Sequence, residues 1–309
     1  MDIKKALESY AEMFEDAFKK AEAFNIKSNR YKGAVFYGMG ASAIAPLILS
    51  KWFEKVKVIN SHRYDGRIEK NVFKIAVSYS GNTEEVLVNV KKYGVDFVVS
   101  SGGKLGEVKP SYFYEVPKNI PPRAAFPYLF VGSLTALRVA GIINKQTFSS
   151  IKQEVLSFDC RDVQNKAQNL ANFLSEKEFA YVLSDEEDRY LAYRLKTQLN
   201  ENAKMFAFHE VLPEANHNSL MALEDDIVKK KAGFVFVNSL DGFVRFSQEY
   251  WKKQVGDYEE IEAPSSTFKR FIYLLCLGDW ASYYLSELRE VDATETSVIE
   301  GLKNERRNI

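Results

Sequence analysis

Apolar and polar positions along this chain follow two periods in turn. Near the start, Leu7, Tyr10, Met13, Phe14 and Phe18 recur at helical spacing, which predicts a leading helix over 1–23. Short apolar runs then predict strands at 34–37, 56–59, 73–78, 96–100 and 112–116, with helices over 43–53 and after Thr83. A polar stretch at 158–166 interrupts the pattern, and it then restarts. Strands are predicted at 179–183, 204–208, 233–237 and 258–262, and helices over 188–200, 243–253 and 267–288. Strands alternating with helices imply parallel sheets covered by helices on both faces. The expected fold is therefore α/β with two domains of one plan, over 1–155 and 156–309. Self-similarity between the halves is too weak at the residue level to establish a repeat on its own.

One turn stands out within that pattern. Ser78-Tyr79-Ser80-Gly81-Asn82-Thr83-Glu84-Glu85 lies where a predicted strand hands over to a helix. A helix N-terminus offers unpaired N–H groups and the positive end of the dipole, so an anion, and above all a phosphate, is the expected guest. Simple capping by Thr83 or Asn82 accounts for one such side chain, not for three hydroxyls around a glycine. Glu84 and Glu85 suit the first turn of a helix and must point away from any phosphate. An earlier turn, Gly38-Met39-Gly40-Ala41-Ser42-Ala43, fits a dinucleotide fingerprint. That fingerprint needs an acidic residue at the end of the next strand, and Ile59-Asn60-Ser61-His62-Arg63 has none. What survives is close backbone approach at the glycines, Gly40 among them, and a hydroxyl at Ser42. The comparable turn of the second half, Asn238-Ser239-Leu240-Asp241-Gly242, lacks the serine and threonine set, so one phosphate site per chain is expected.

Composition narrows the classes. The 309 residues carry 42 basic and 42 acidic side chains, a balance that favours neither nucleic acid nor an anionic membrane as partner. The runs Lys229-Lys230-Lys231 and Arg306-Arg307 are short enough to be solvated surface. The uncharged stretch 33–50 contains Gly38, Gly40 and Pro46 and breaks into strand, turn and helix, so no membrane span is expected. The N-terminus is charged and amphipathic, unlike a signal peptide. Two cysteines, Cys160 and Cys276, form no C-x-x-C pair, which predicts neither a disulfide framework nor a zinc site. Cys276 reads as a small buried hydrophobe, and a reducing cytoplasm fits. The three histidines lack metal-ligand spacing, and no cofactor or metal is implied.

The Gly38–Ser42 turn together with Ser78–Glu84 resembles the sugar isomerase (SIS) domain. Three later segments extend the likeness: Pro122-Arg123-Ala124-Ala125, Asn200-Glu201-Asn202-Ala203-Lys204 and Leu212-Pro213-Glu214-Ala215-Asn216-His217-Asn218. Together the five resemble the bifunctional phosphoglucose/phosphomannose isomerases of archaea over nearly the whole chain. Ala41 replaces one of the family's usual glycines, which is tolerable unless that backbone needs positive φ. The resemblance implies two SIS-type subdomains, with the phosphate site in the first and the Glu201 and His217 segments in the second. It implies interconversion of glucose 6-phosphate or mannose 6-phosphate with fructose 6-phosphate. Ser42, Ser78, Ser80 and Thr83 would hold the phosphate. Glu201 would be the base, His217 would open the sugar ring, and Arg123 would face the enediolate. Thr296 and Lys303 match further active-site positions. A homodimer with active sites shared between subunits is also implied.

Read from position alone, Glu201 is a surface carboxylate at a helix end, Arg123 an exposed loop arginine, and His217 a polar-loop histidine. His62 and His209 are read as structural. Two rivals to the isomerase are a non-catalytic SIS-type sugar-phosphate sensor and an amino-sugar phosphate isomerase.

Overall fold

The leading segment folds as two helices rather than the single predicted one, α1 (Ile3–Glu8) and α2 (Tyr10–Glu22). Ser9 lies between them and its hydroxyl donates to the Lys5 carbonyl at 2.8 Å. Such local bonding competes with helix continuation. The stripe of Tyr10, Met13, Phe14 and Phe18 is buried, as the helical spacing requires. The computed structural model describes residues 1–24 and 31–306, so Arg307 lies outside the described residues.

The chain divides into two compact units, chiefly Lys5–Cys160 and Arg161–Ile309. The first contains β1 (Gly33–Gly38), α3 (Ala41–Trp52), β2 (Val56–Ile59), β3 (Val72–Val77), α4 (Glu84–Tyr93), β4 (Phe97–Ser100), α5 (Gly103–Glu107), β5 (Tyr112–Glu115), α6 (Phe126–Val139) and α7 (Lys145–Leu156). Its five strands are parallel in the order β2-β1-β3-β4-β5. Helix α6 had no counterpart in the pattern reading. Almost all of its residues are buried, so it has no polar face to reveal a helical period.

The second unit contains α8 (Gln164–Ser175), β6 (Phe179–Ser184), α9 (Arg189–Glu201), β7 (Phe206–Val211), α10 (Asp226–Lys231), β8 (Ala232–Val237), α11 (Gly242–Val255), β9 (Tyr258–Ile261), α12 (Thr267–Leu288) and α13 (Ser297–Arg306). Its four strands are parallel in the order β7-β6-β8-β9. Helix α8 begins inside the stretch read as a polar break. Strand β7 starts two residues later than predicted, because Lys204 turns the chain with φ +52°. Neither cysteine is free: Cys160 and Cys276 are both disulfide-bonded. Cys276 is fully buried, as the sequence suggests, but the expectation of no disulfide is corrected, and with it goes the cysteine argument for a reducing compartment. Sequence separation carries no information about which thiols the fold brings together. Among the described residues, no helix is long and apolar enough to cross a membrane.

Each sheet has one place where the direction of winding reverses. In the first it lies between β1 and β3, and in the second between β6 and β8. Loops leaving the carboxyl ends of those strands diverge and leave a crevice, the usual ligand position in open α/β sheets.

Candidate active site

Both motif turns of the first unit lie at its winding reversal. The turn after β1 carries Gly40 at φ +53°, a conformation that favours glycine. Ala41 is already the first residue of α3 and is not among the positive-φ positions, so the alanine sits without strain. Ser42 Oγ accepts the Tyr79 N–H at 3.2 Å, which ties this turn to the one after β3. Within the second turn, the hydroxyls of Ser78 and Thr83 are 2.8 Å apart. Ser78 Oγ also accepts the Gly81 N–H, and Ser80 Oγ the Asn82 N–H, each at 3.2 Å. The structure thus gathers Ser42, Ser78, Ser80 and Thr83 into one cluster.

Close backbone packing shapes that cluster. Gly81 has φ +66°, and a Cβ there would lie 1.8 Å from the Gly102 carbonyl oxygen. A Cβ on Gly103 would lie 2.3 Å from the Ser80 carbonyl oxygen. Thr83 occupies the N-cap of α4, yet its side chain makes no capping bond. Its hydroxyl is turned to Ser78 instead, which leaves the first-turn N–H groups of α4 without side-chain partners from the cap. This is the arrangement a phosphate needs.

Tyr79 holds a further loop against this turn. Its hydroxyl accepts the Ile120 N–H at 3.1 Å and donates to the Pro117 carbonyl at 3.4 Å. Burial pushes its phenol upward, so the donor is retained at neutral pH. The anchored loop leads into Pro121-Pro122-Arg123. Arg123 is buried at 5% exposure, not the exposed loop arginine that position alone suggested. A hydroxylated aromatic between two serines of a polar turn was the available signal for Tyr79.

Glu201 is the last residue of α9 and is half-buried. Both flanking asparagines have structural partners. Asn200 Oδ1 accepts the Ala207 N–H at 2.9 Å and so steers the chain into β7. Asn202 Nδ2 donates to Ser282 Oγ on α12 at 2.9 Å. One turn apart along the same helix, Arg194 and Gln198 both bind Asp279 of α12, the arginine in a two-pronged pair at 3.0 and 2.7 Å. A buried polar stripe like this fixes the rotation of α9, and with it the position of Glu201. Lys204 Nζ donates to the carbonyls of Glu201 at 2.6 Å and Glu295 at 2.9 Å. It thereby brings the segment carrying Thr296 to the end of α9.

His217 is exposed at the end of a 3-10 turn, Glu214–His217, that follows a cis Leu212–Pro213 bond. Its neighbour Asn216 is fixed to α11, donating to Ser247 Oγ at 3.1 Å and accepting the Trp251 indole N–H at 2.8 Å. The Thr296 hydroxyl donates to Glu300 at 3.1 Å, and Lys303 is exposed on α13. His209 stands apart from these on β7, with Nε2 3.2 Å from Ser184 Oγ. Burial, helped by Arg189 and Lys196, pulls His209 down to about 4. No group of three or more His, Cys, Asp or Glu among the described residues could hold a metal ion.

Residues 163–305 match the bacterial phospho-glucose isomerase C-terminal SIS domain. A bifunctional phosphoglucose/phosphomannose isomerase of Thermoplasma acidophilum is 32% identical, covering 90% of this chain and 91% of its own length. A D-glucosamine-6-phosphate 4-epimerase of Sulfolobus acidocaldarius is 31% identical over 69% of this chain and 70% of its own. Among solved structures, the C-terminal domain of glucosamine-fructose-6-phosphate aminotransferase from Francisella tularensis superposes with a TM-score of 0.73 at 14% identity, covering 94% of this chain and 96% of that one. Two parallel sheets with this fold, hydroxyls gathered at the first winding reversal, and identity sustained over nine-tenths of both sequences agree: the chain belongs to the bifunctional phosphoglucose/phosphomannose isomerase family.

Proposed function

We propose that this chain interconverts glucose 6-phosphate and mannose 6-phosphate with fructose 6-phosphate through an enediolate. The observation that carries the reading is the hydroxyl cluster at the uncapped start of α4, joined to Ser42 through the Tyr79 N–H. Ser42, Ser78, Ser80 and Thr83 hold the phosphate, and Gly40 lets the backbone approach the substrate. His217 moves the proton that opens the ring. Glu201 takes the proton beside the carbonyl and returns it to the neighbouring carbon, a role typically contributing about 10²- to 10⁴-fold. Arg123 and Lys303 supply positive charge to the enediolate oxygens. Thr296, a small side chain, leaves room for the open chain to turn about its second and third carbons, so one base serves both epimers. No cofactor enters this scheme. The enzyme acts in the cytoplasm, where phosphorylated hexoses are retained by their charge.

A coupled assay following fructose 6-phosphate into each aldose phosphate tests the reading. Formation of both products supports it. Binding without turnover would make the protein a sensor, and a robust glucose reaction with no mannose reaction removes the second activity. The Sulfolobus relative motivates one alternative, turnover of an amino-sugar phosphate, which glucosamine 6-phosphate in the same experiment separates.

The working form is a homodimer whose sites take Glu201 from one subunit and His217 from the other. Mixing Glu201→Ala and His217→Ala chains by co-refolding then restores roughly a quarter of the sites, by the counting that two-fold symmetry imposes. Verified mixed dimers without recovery would place both residues in one subunit's site.

A further inference from the structure

The second unit has a cavity of about 570 Å³ beside the carboxyl ends of β8 and β9, and it shares no residue with the site described above. Its size falls within the range of small-molecule sites. It opens beyond the strand ends, one strand over from the winding reversal between β6 and β8.

The floor is rigid because its polar groups are already satisfied. Asn238 Oδ1 accepts the Ala263 N–H at 2.9 Å and the Arg270 guanidinium at 3.3 Å. Gln248 bridges the Ser239 N–H and the Val237 carbonyl, at 3.2 and 2.7 Å. The rim is different. Lys166 and Arg245 line it, both are exposed, and among the described residues neither enters an ion pair. Lys166 Nζ stands 5.5 Å from the centre of the Tyr273 ring, which also lines the cavity. Of the three carboxylates around the space, Glu249 and Glu260 are both engaged by Lys252 at 2.8 Å. Arg245 also acts on Glu249 through space, and Glu262 enters no ion pair among the described residues, so two cations face carboxylate charge that Lys252 already partly balances. The α11 N-terminus is not the attraction, since Asp241 already accepts the N–H groups of Phe243 and Val244.

We propose that this cavity is a second binding site for a polyhydroxylated anion, a sugar phosphate or sugar acid, held by Lys166 and Arg245 at its charged end. Glu262 accepts hydrogen bonds from the sugar hydroxyls, and the Tyr273 ring offers a face for the sugar carbons. The anionic end is one chemistry with two sources, phosphate or carboxylate.

Calorimetric titration of the full chain with 6-phosphogluconate tests this. That probe carries both anionic groups and has no carbonyl to isomerise. Two molecules per chain are expected, falling to one in the Lys166→Glu/Arg245→Glu variant. Both substituted positions are exposed, and an unchanged thermal midpoint verifies that the variant is folded. Competition by inorganic phosphate or by gluconate, read on the site that the variant loses, tells which end the cations hold. Inhibition of isomerase activity by the same probe reports the Ser78 cluster separately, so failure at one site is not confused with failure at the other. A single molecule per chain in the unsubstituted protein overturns the proposal, as do two that survive the double substitution.

Discussion

The two winding reversals of this molecule are built at the same place in the same kind of sheet, and they are filled in opposite ways. In the first unit, the loops after β1 and β3 meet through hydroxyls and backbone N–H groups, with the α4 cap left open. In the second, the loops after β6 and β8 meet through charge. Ser239 Oγ donates to Asp185 Oδ2 at 2.5 Å, and Asp185 Oδ1 accepts the Asp188 N–H at 2.9 Å. Arg270, buried at 4% exposure, pairs with Asp188 and also reaches the carbonyls of Asn238, Ala263 and Pro264. One guanidinium thus ties three loops together from inside. Asp241 caps α11 and takes up the N–H groups of Phe243 and Val244, whereas the cap of α4 makes no such side-chain bond. The lesson is that strand order creates the crevice, while side chains decide whether it receives a ligand or is closed by the protein's own ions. At the reversal itself a duplicated plan does not duplicate the site; the cavity beside the ends of β8 and β9 lies one strand over from it.

The largest effect should come from breaking the internal filling. Arg270→Met leaves Asp188 buried without its partner and should destabilise the protein by about 3–5 kcal/mol. Denaturant unfolding measures this, and adding Asp188→Leu should recover part of the loss. A neutral single substitution would show that the second crevice is not held by this pair.

Next in size is the chemistry that the second unit contributes. Glu201→Gln should lower kcat by at least ~10²-fold while a phosphorylated sugar acid still binds. Wild-type turnover in this variant means Glu201 is not the base.

The hydroxyls sharpen the contrast most directly. Ser80→Ala and Thr83→Ala should each raise KM more than they lower kcat, by about 1.5–3 kcal/mol per bond lost to a charged group. Ser239→Ala, the same change at the other reversal, should leave KM for the hexose phosphates unaltered. It should lower stability by about 1–3 kcal/mol, because Asp185 loses a buried donor. Equal KM effects at the two places would erase the distinction between them.

The smallest effect in the unsubstituted protein is the net pH dependence of two buried groups of the second unit. Burial raises Asp188 to about 6, against the pull of Arg270, so the folded state takes up a proton that the unfolded state does not between pH 6 and 4. That contribution favours the fold as pH falls. His209, held down to about 4, works the other way: the unfolded state is protonated below about 6.5 and the fold loses stability as pH falls. The two slopes oppose each other across one window, so together Asp188 and His209 add little net pH dependence there. His209→Asn removes the second slope, so its stability relative to wild type should rise steadily from pH 7 to 4.5 in urea titrations. A constant offset would show that His209 titrates normally.

Much of this was legible before any fold was known. Apolar runs marked the nine strands among the described residues, the central ones most clearly, because a strand in a covered parallel sheet is a short, dense hydrophobic block. The Ser78 turn was legible for a similar reason: its hydroxyls, its glycine and the helix start are close in sequence, and their geometry is set within a few residues. Helix α6 was not, since burial on every side erases the period that betrays a helix. Neither was the anchoring of the Arg123 loop by Tyr79, which spans about forty residues. The cysteines were misread because pairing depends on where the chain goes, not on spacing. The same holds for Arg270, an ordinary arginine in sequence that becomes the centre of the second crevice only when three loops converge on it. The sequence alone determined the elements, the parallel class and the local phosphate turn, since each follows from interactions along the chain. Tertiary structure decided which crevice stayed open, because that depends on charges brought together from positions some 80 residues apart, such as Asp188 and Arg270.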